Sequence, residues 1–594
     1  MPGGLLNLVA YGNQNVILNG NPSKTFFKST YAKYTNFGLQ KFRIDFDGQR
    51  TLRMTDSSTF TFTMPRYGDL LMDTYLVVNM PHIWSPAYPP TKNYNAGLPP
   101  PDNGIDPTTG IPYADGVWQP YNFKWIKNLG AQMVERVRFT VGGQVIQEFT
   151  GQYLYNMVER DFDLAKKILF YKMTGNTPEM NAPEELPSNA GYYPTSFYAG
   201  TNTCSDQHFQ NTFLATGSEP SIRARSLYIP LNIWFTMAAK MAFPLVSLQY
   251  AELQIEVTIR PVQELFTVNE IFTTNDPQTG TPALYQPVPI QPNFNENQYG
   301  MYRFLQTPPG VDINDDSIYV DRRTNWNADV HLISTYAFLT DDEVRVFAGQ
   351  TQEYLVKQVY HTTFKDVVGS SRLDLTSIGL VSNYMWYMQR SDVNERNEWS
   401  NYTNWPYGVI PYPSQVVSNQ NTSAVVINGI STYPGTTTAS SLQTGLKTTG
   451  FFNPANQRDI MTTWALLLDG KYRENDFPSG LWNYIEKYVR TSGNGQDGLY
   501  TYSFSLHTDP FDFQPSGAMN MSKFTNVQFE IKTIQPTLNS QASFTTICSP
   551  DGVIVGTQMP SQGIYDYTYD LVVLEERFNV LRFQNGMAGL QFAR

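Results

Sequence analysis

Three segments of the chain alternate strictly between apolar and polar residues, and this alternation constrains the fold more than any other feature. The segments are residues 59–64, 253–260 and 527–532. In an extended chain, a period of two places the apolar side chains on one face and the polar side chains on the other. Strands with one buried and one wetter face occur in antiparallel sandwiches or barrels, whereas parallel α/β sheets contain continuous apolar runs. The pattern therefore predicts an all-β fold.

The composition agrees with a strand-rich protein. Aromatic residues make up 14% of the chain and charged residues only 16%, against about 25% charged residues in an average soluble chain. A disordered chain lacks the aromatic residues for a core, and a mostly helical chain would be richer in Ala, Glu, Lys and Leu. Helices are predicted to be few and short, with residues 153–167 and 481–490 as the best candidates.

Three patterns recur in the same order in both halves of the chain. Apolar-Gln-apolar-Glu-apolar occupies residues 253–257 and 527–531, a glycine-aromatic pattern occupies 143–156 and 470–483, and a strand-like pattern occupies 73–78 and 382–387. The 594 residues would make about four average domains, but all-β domains are often large enough for two. Because repeated patterns in constant order favour duplication, we predict two tandem sandwiches joined by loops of different length.

Long irregular stretches separate the predicted strands. Residues 81–123 are rich in proline, residues 171–223 are similar, and residues 391–450 are rich in Asn, Ser, Thr and Tyr. Proline cannot donate a hydrogen bond to a central ladder, so these stretches are predicted to be loops. Residues 267–329 have the turn chemistry of a linker between the two halves.

Charge and cysteine content limit the partners and the compartment. The net charge is −11 and Lys and Arg do not cluster, so we expect no direct nucleic-acid binding. Cys204 and Cys548 are the only cysteines; they are too few for a disulfide framework, and we expect them to be reduced. No segment has the roughly 20 apolar residues of a membrane span, and the N-terminus lacks the basic region of a secretory signal.

The candidate catalytic motifs are weak. Residues 493–498 fit G-x-G-x-x-G, but a strand-like stretch follows where a phosphate-binding loop needs a helix, so we interpret them as a flexible turn. Residues 312–316 are acidic but lack the glycine and glutamate of a calcium-binding loop. The five histidines, at positions 82, 208, 331, 361 and 507, have no metal-binding spacing. We therefore predict a protein that is not an enzyme and has no catalytic residues, cofactor or metal.

Three sequons are candidate glycosylation sites. They begin at Asn401, Asn421 and Asn520. The first two lie in the long polar loop, where a glycan would be tolerated. They carry glycans only if the protein meets the glycosylation machinery.

Several long stretches resemble the major capsid proteins of nucleocytoplasmic large DNA viruses. The N-terminal stretch begins GGLLNLVAYG at residues 3–12 and continues through residues 18–22, 25–28 and 34–37. Further matches occupy residues 229–235, 243–250, 336–347, 353–355, 578–582 and 586–590. Residues 236–242 read TMAAKMA where the family often has a polar turn. The resemblance spans the whole chain.

The resemblance implies a double jelly roll, that is, two tandem eight-stranded antiparallel jelly-roll sandwiches with long loops and few short helices. It implies an N-terminal arm over residues 1–35, a first jelly roll over 36–266, a linker over 267–328 and a second jelly roll over 329–594. Homotrimers with a pseudo-hexagonal outline would tile an icosahedral shell, above minor capsid proteins and near an inner membrane. The protein would be located in the virion and assembled in the host cell cytoplasm.

Two alternatives stay open at this stage. A carbohydrate-binding or carbohydrate-cleaving sandwich could use Trp399, Trp405 and Tyr407 to stack on sugars, although aromatic loops are equally typical of interfaces. A minor capsid or spike protein of the same lineage would have the same fold. For a shell protein, we expect assembly to increase with salt because the net charge is negative, and we expect residues 414–444 to be dispensable for trimers.

Overall fold

The computed structural model describes most of the chain. The described residues are 3–46, 48, 50–88, 119–189, 193–195, 219–271, 289–308, 319–322, 326–408, 425–427, 430–432, 457–536, 545–548, 554–558 and 567–592.

The first half of the chain forms two facing antiparallel sheets. The main strands are β1 (Gly38–Asp45), β2 (Ser58–Thr63), β3 (Leu70–Met80), β4 (Val134–Val141), β5 (Gln144–Phe149), β6 (Arg225–Pro230), β7 (Leu253–Ile259) and β8 (His331–Phe338). One sheet has the order β1-β8-β3-β6 and the other has the order β2-β7-β4-β5.

The second half repeats this arrangement. Its main strands are β9 (Gln352–Phe364), β10 (Ser370–Leu375), β11 (Leu380–Arg390), β12 (Met461–Leu468), β13 (Lys471–Pro478), β14 (Leu499–Ser503), β15 (Val527–Thr533) and β16 (Tyr569–Gln584). The sheet orders are β9-β16-β11-β14 and β10-β15-β12-β13. Both halves thus join their first, eighth, third and sixth strands in one sheet, which is jelly-roll topology, so the predicted double jelly roll is confirmed.

The sequence repeats fall on equivalent strands. The Gln-Glu patterns form β7 and β15, and the patterns at 73–78 and 382–387 lie in β3 and β11. Gly143 and Gly470 occupy the tight turns after β4 and β12 with φ values of 82° and 76°. These are left-handed conformations that glycine adopts without steric cost.

Shorter strands complete the sheets and loops. They are Thr51–Leu52, Ala87–Tyr88, Gln119–Pro120, Lys124–Trp125, Phe243–Pro244, Phe266–Asn269, Pro289–Ile290, Trp326–Asn327, Val425–Ile427, Ile430–Thr432, Met519–Asn520, Thr545–Cys548, Ile554–Gln558 and Met587–Leu590.

The helices are short. They are α1 (Leu6–Val9), α2 (Val16–Asn19), α3 (Leu129–Met133), α4 (Gly151–Asp161), α5 (Leu164–Thr174), α6 (Pro178–Asn181), α7 (Asp341–Gly349) and α8 (Glu486–Arg490), the last preceded by a π-helical turn, Leu481–Ile485. The predicted helix at 153–167 is two helices, because the side chain of Asp163 caps a new N-terminus at α5. The predicted helix at 481–490 is the π-helical turn together with α8.

The five longest connections between main strands, at residues 81–133, 150–224, 260–330, 391–460 and 534–568, follow β3, β5, β7, β11 and β15. All paired strands are antiparallel, so connections after odd-numbered strands leave each sandwich at one end. We call this the long-loop end. The arm preceding β1 and the connection between β8 and β9 lie at the opposite, short-loop end.

Described residues around the boundary between the halves pack with the first sandwich. β8 pairs with β1 and β3, although the sequence-based division placed its residues in the second jelly roll. Tyr299 and Phe304, from the expected linker, are buried in the first core. The division at 267–328 stays a prediction, and we propose instead that the first sandwich extends to Phe338.

Candidate functional site: the junction between the sandwiches and the exposed arm

The sheet β9-β16-β11-β14 separates the two sandwiches, and its central strands β16 and β11 are buried on both faces. In β16, Leu571 and Val573 pack in the core of the second sandwich. Val572 and Leu574, which point the other way, pack in the cluster that fills the first sandwich. This sheet therefore joins the two halves through a continuous apolar contact.

A charged cluster lies within this apolar junction. The Glu576 carboxylate accepts hydrogen bonds from Arg160 Nη2 at 2.7 Å, Asn383 Nδ2 at 2.9 Å and the Tyr153 hydroxyl at 3.0 Å. Lys357 Nζ lies 3.5 Å from the same carboxylate. The side chain of Glu576 is 0% exposed and that of Arg160 is 1% exposed, so the pairing must compensate fully for the lost hydration.

The pKa values of the two carboxylates that contact Arg160 are shifted in opposite directions. Burial alone would raise the pKa of Glu576, but the charges of Arg160 and Lys357 together with the bond from Asn383 lower it to about 2. Burial raises the pKa of Asp161 despite its bonds to Arg160. Glu576 is therefore the carboxylate that the cluster holds ionised.

A glycine-containing turn from the second sandwich docks beside this cluster. The N–H groups of Gly493 and Gly495 donate to the carbonyls of Arg160 and Glu159 at 2.8 and 2.7 Å. A Cβ atom at Gly493 would lie 2.6 Å from both carbonyl oxygens, so only glycine fits. Residues 493–498 are a turn that follows α8 and leads into β14, as predicted, and they do not precede a helix.

Polar contacts hold the junction at both ends as well. Gln147 Nε2 donates to the carbonyl of Lys357, and Gln358 Nε2 donates to the carbonyl of Ile146, both at 2.9 Å. At the long-loop end, Trp399 Nε1 donates to the carbonyl of Glu264 at 3.0 Å. The two sandwiches are therefore fixed relative to each other at several separate points.

The aromatic residues considered for sugar stacking serve intramolecular contacts. The guanidinium of Arg260 lies 4.3 Å from the ring centroid of Trp399. The hydroxyl of Tyr407 donates to the carbonyl of Pro289 at 2.6 Å, and Trp405 is half-buried. These rings hold the loop after β11 against the first sandwich.

The candidate glycosylation sites differ in accessibility. Asn401 is half-buried, and its Nδ2 donates to the carbonyl of Trp405 at 2.8 Å. Asn520 is exposed, and its Oδ1 accepts from the N–H of Ser522 at 3.1 Å. Asn421 lies outside the described residues, as do most of residues 414–444.

The remaining candidate residues are dispersed. His82 and His331 bond to backbone atoms, whereas His361 and His507 are exposed. Cys204, His208 and residues 312–316 lie outside the described residues. Among the residues that the structure describes, no group of three or more His, Cys, Asp or Glu side chains could hold a metal ion, and no helix has the length and apolar character of a membrane span.

The N-terminal arm is exposed along its whole described length. Every residue from 3 to 37 except the half-buried Asn15 is exposed, including thirteen large apolar side chains. Phe27 is 99% exposed. One hydrogen bond ties the arm to the short-loop end, from the hydroxyl of Thr35 to Glu343 Oε1 at 2.6 Å. So much exposed apolar surface is typical of a segment that binds a partner.

Comparison with known proteins identifies the family. The family described as "Major capsid protein N-terminus" matches residues 25–305, and the family described as "Large eukaryotic DNA virus major capsid protein" matches residues 343–589. The chain belongs to the family of large eukaryotic DNA virus major capsid proteins. The predicted resemblance is thereby confirmed, and this capsid protein is a structural component of the icosahedral virion capsid.

Individual relatives match this capsid protein over its full length. It is 25% identical to the major capsid protein of Chrysochromulina ericina virus over 649 residues, covering 100% of both chains. The Faustovirus major capsid protein has a TM-score of 0.56 at 14% identity, covering 94% of this chain and 93% of that one. The PBCV-1 virus capsid model has a TM-score of 0.54 at 16% identity, and the match covers 96% of this chain and 100% of that one. At these identities, the solved structures establish the fold.

The sequence analysis missed the residues at the centre of the junction. Arg160, Asp161 and Glu576 occur in ordinary-looking charged stretches, and their burial depends on a contact between distant parts of the chain. The available signal was the run Glu575-Glu576-Arg577 inside an otherwise apolar strand-like segment. Consecutive residues of a strand point to opposite faces, so this run places charged side chains on both faces, which a purely apolar core on either face would not accept.

Proposed function

We propose that this capsid protein forms homotrimers with a pseudo-hexagonal outline, which tile the shell through contacts between trimers. The observation that carries the proposal is the combination of a fixed junction and an exposed apolar arm. Three copies of a fixed pair of sandwiches place six similar sandwiches around a threefold axis, and the arm supplies apolar surface that needs a second protein to cover it.

The polarity of the chain supports an orientation in the shell. The arm and α7 lie at the short-loop end, whereas the five longest connections leave at the long-loop end. We propose that the short-loop end faces inward, where the arm meets minor capsid proteins close to an inner membrane. The long loops then face outward, and assembly takes place in the host cytoplasm.

This role needs no reactive group, so we propose that the protein is not an enzyme. The net charge of −11 opposes direct binding of the genome. We also retain the three sequons as proposed glycan sites; of the two that the structure describes, Asn520 is the exposed one. Peptide mass spectrometry of protein from virions would identify modified asparagines.

Native mass spectrometry of the purified full-length chain tests the proposal. The expected species is a trimer of the 67.5 kDa chain. Removal of residues 1–35 should leave the trimer intact and abolish shell formation, because trimer contacts are proposed to lie between sandwiches. A full-length protein that remains a monomer at micromolar concentration would contradict the proposal.

A further inference from the structure

The amine of Lys167 is enclosed at the junction beside a carboxylate and a side-chain amide. Lys167, in α5 of the first sandwich, is 2% exposed. Its Nζ lies 3.1 Å from Glu159 Oε2 and hydrogen bonds to Asn494 Oδ1 of the second sandwich. A lysine, an asparagine and a glutamate, drawn from two different sandwiches, thus meet at one point.

The backbone fixes Asn494 in this position. The N–H groups of its neighbours Gly493 and Gly495 bond to the carbonyls of Arg160 and Glu159. Gly495 has a φ of +57°, and the space around Gly493 admits no Cβ atom. Two backbone hydrogen bonds and two glycines therefore present the Asn494 amide to Lys167. Asn494 itself is on an exposed turn, which leaves a route to solvent.

Glu159 is placed to exchange protons with Lys167. It is 4% exposed, and its second oxygen, Oε1, accepts a hydrogen bond from the Tyr171 hydroxyl. The neighbouring amine of Lys487 has its pKa lowered to about 8, mainly by burial and further by the charge of Lys167. Glu159 Oε2, 3.1 Å from the Lys167 amine, is in place to take a proton from it and leave the amine nucleophilic.

We propose that Lys167 and Asn494 form an intramolecular isopeptide bond that joins the two sandwiches covalently, with Glu159 carrying the proton. The lone pair of the neutral Lys167 amine attacks Cγ of Asn494, and a new C–N bond forms. One amine proton passes through Glu159 to the side-chain nitrogen of Asn494. The original Cγ–Nδ2 bond then breaks, and ammonia leaves. No oxidant or cofactor is required, and the fixed geometry supplies the effective concentration.

A second lysine and asparagine pair provides an internal comparison. Lys487 Nζ donates to Asn483 Oδ1 at 2.8 Å, and both residues are buried. Within the part of the chain that the structure describes, Lys487 forms no ion pair with a carboxylate. We expect this pair to remain unlinked, because contact alone supplies no proton carrier.

Mass spectrometry of a tryptic digest of the full-length protein tests the proposal. The expected product is a branched peptide in which residues 167–172 are joined to residues 491–523, lighter by one ammonia than the two linear peptides together. Linear forms of both peptides, with no branched product, would overturn the proposal. A succinimide at Asn494 has the same mass loss but no branch, and it would overturn the proposal equally.

Three variants separate the roles of the residues. Lys167→Arg should abolish the branched peptide, and Glu159→Gln should slow its formation by about 100-fold or more. Lys166→Arg, at the adjacent position in α5, should leave it unchanged. Full linkage in Glu159→Gln would eliminate Glu159 as the proton carrier.

On denaturing gels the linked wild type should migrate faster than Lys167→Arg, and equal mobility would contradict a covalent closure between residues 167 and 494. The inference is independent of the trimer proposal.

Discussion

The two sheets of the second sandwich have different surroundings. In the sheet β10-β15-β12-β13, the edge strand β13 is exposed along nearly its whole length, and β15 alternates between buried and half-buried residues. In the sheet β9-β16-β11-β14, β11 and β16 each contain an unbroken run of buried residues. The first sheet has one face toward water, whereas the second lies between two cores.

This difference in surroundings explains which charged side chains contribute strongly to the stability of the fold. On the outer sheet, Arg372 and Glu530 form a pair with the arginine 59% exposed, and water screens such pairs. On the junction sheet, Glu576 and its partners are fully buried. Junction charges must therefore be paired for the sandwiches to remain together, whereas charges on the outer sheet need no partner.

The largest effect is expected for Arg160→Ala. Removing this guanidinium leaves the buried carboxylates of Asp161 and Glu576 without their main partner, which should cost about 3–5 kcal/mol of unfolding free energy. Arg582→Ala is the matched control, because its pair with Glu353 is 43% and 51% exposed and should contribute less than about 1 kcal/mol. Urea unfolding of both variants measures the difference. Equal losses would remove the distinction between junction and surface.

The two faces of β16 should be equally sensitive to truncation. Leu571 faces the second core and Leu574 faces the first, so Leu571→Ala and Leu574→Ala should each cost about 2–5 kcal/mol. Thr61→Ala, on the exposed face of β2, should cost less than about 1 kcal/mol. A small loss at Leu574 in thermal or chemical unfolding would mean that the sheet has only one buried face.

Acid should weaken the junction through Glu576. Its pKa is lowered from 4.5 to about 2, so its stabilising contribution is present above pH 4.5 and is lost as the pH falls toward 2. The difference in unfolding free energy between the wild type and Glu576→Gln should therefore shrink by about 3 kcal/mol over that interval. Asp161 titrates in both proteins, and because burial is the main cause of its raised pKa and the charge of Glu576 a smaller one, most of its contribution is common to both. A constant difference would show that Glu576 has an ordinary pKa.

The smallest effect is expected at the docking turn. Gly493→Ala forces a Cβ atom against two backbone carbonyls and should cost about 1–3 kcal/mol. Gly349→Ala, at the end of α7 with nothing within 4 Å of the added atom, is the control and should be nearly neutral. Calorimetry of the two variants makes the comparison. A neutral Gly493→Ala would indicate that the turn does not need its close approach to α4.

The sequence predicted strands best where one face of the sheet is buried and the other faces water. All three alternating segments belong to the sheets β2-β7-β4-β5 and β10-β15-β12-β13, and the repeats between halves fall on equivalent strands. β16 could not be recognised in the same way, because side chains on both of its faces are buried. β8 lies beyond the predicted boundary at residue 328 and pairs with β1 and β3 of the first half, since a strand's partners depend on contacts far away in the chain.

The amino-acid sequence by itself determined the all-β class, the duplication and the turn at residues 493–498, because side-chain period and glycine content act over a few neighbouring residues. Only the tertiary structure decided that Arg160 meets Glu576, that Asn494 meets Lys167 and that β8 closes the first sandwich. These contacts join residues hundreds of positions apart, and burial in a shared junction gives their charges and amides an importance that no local pattern contains.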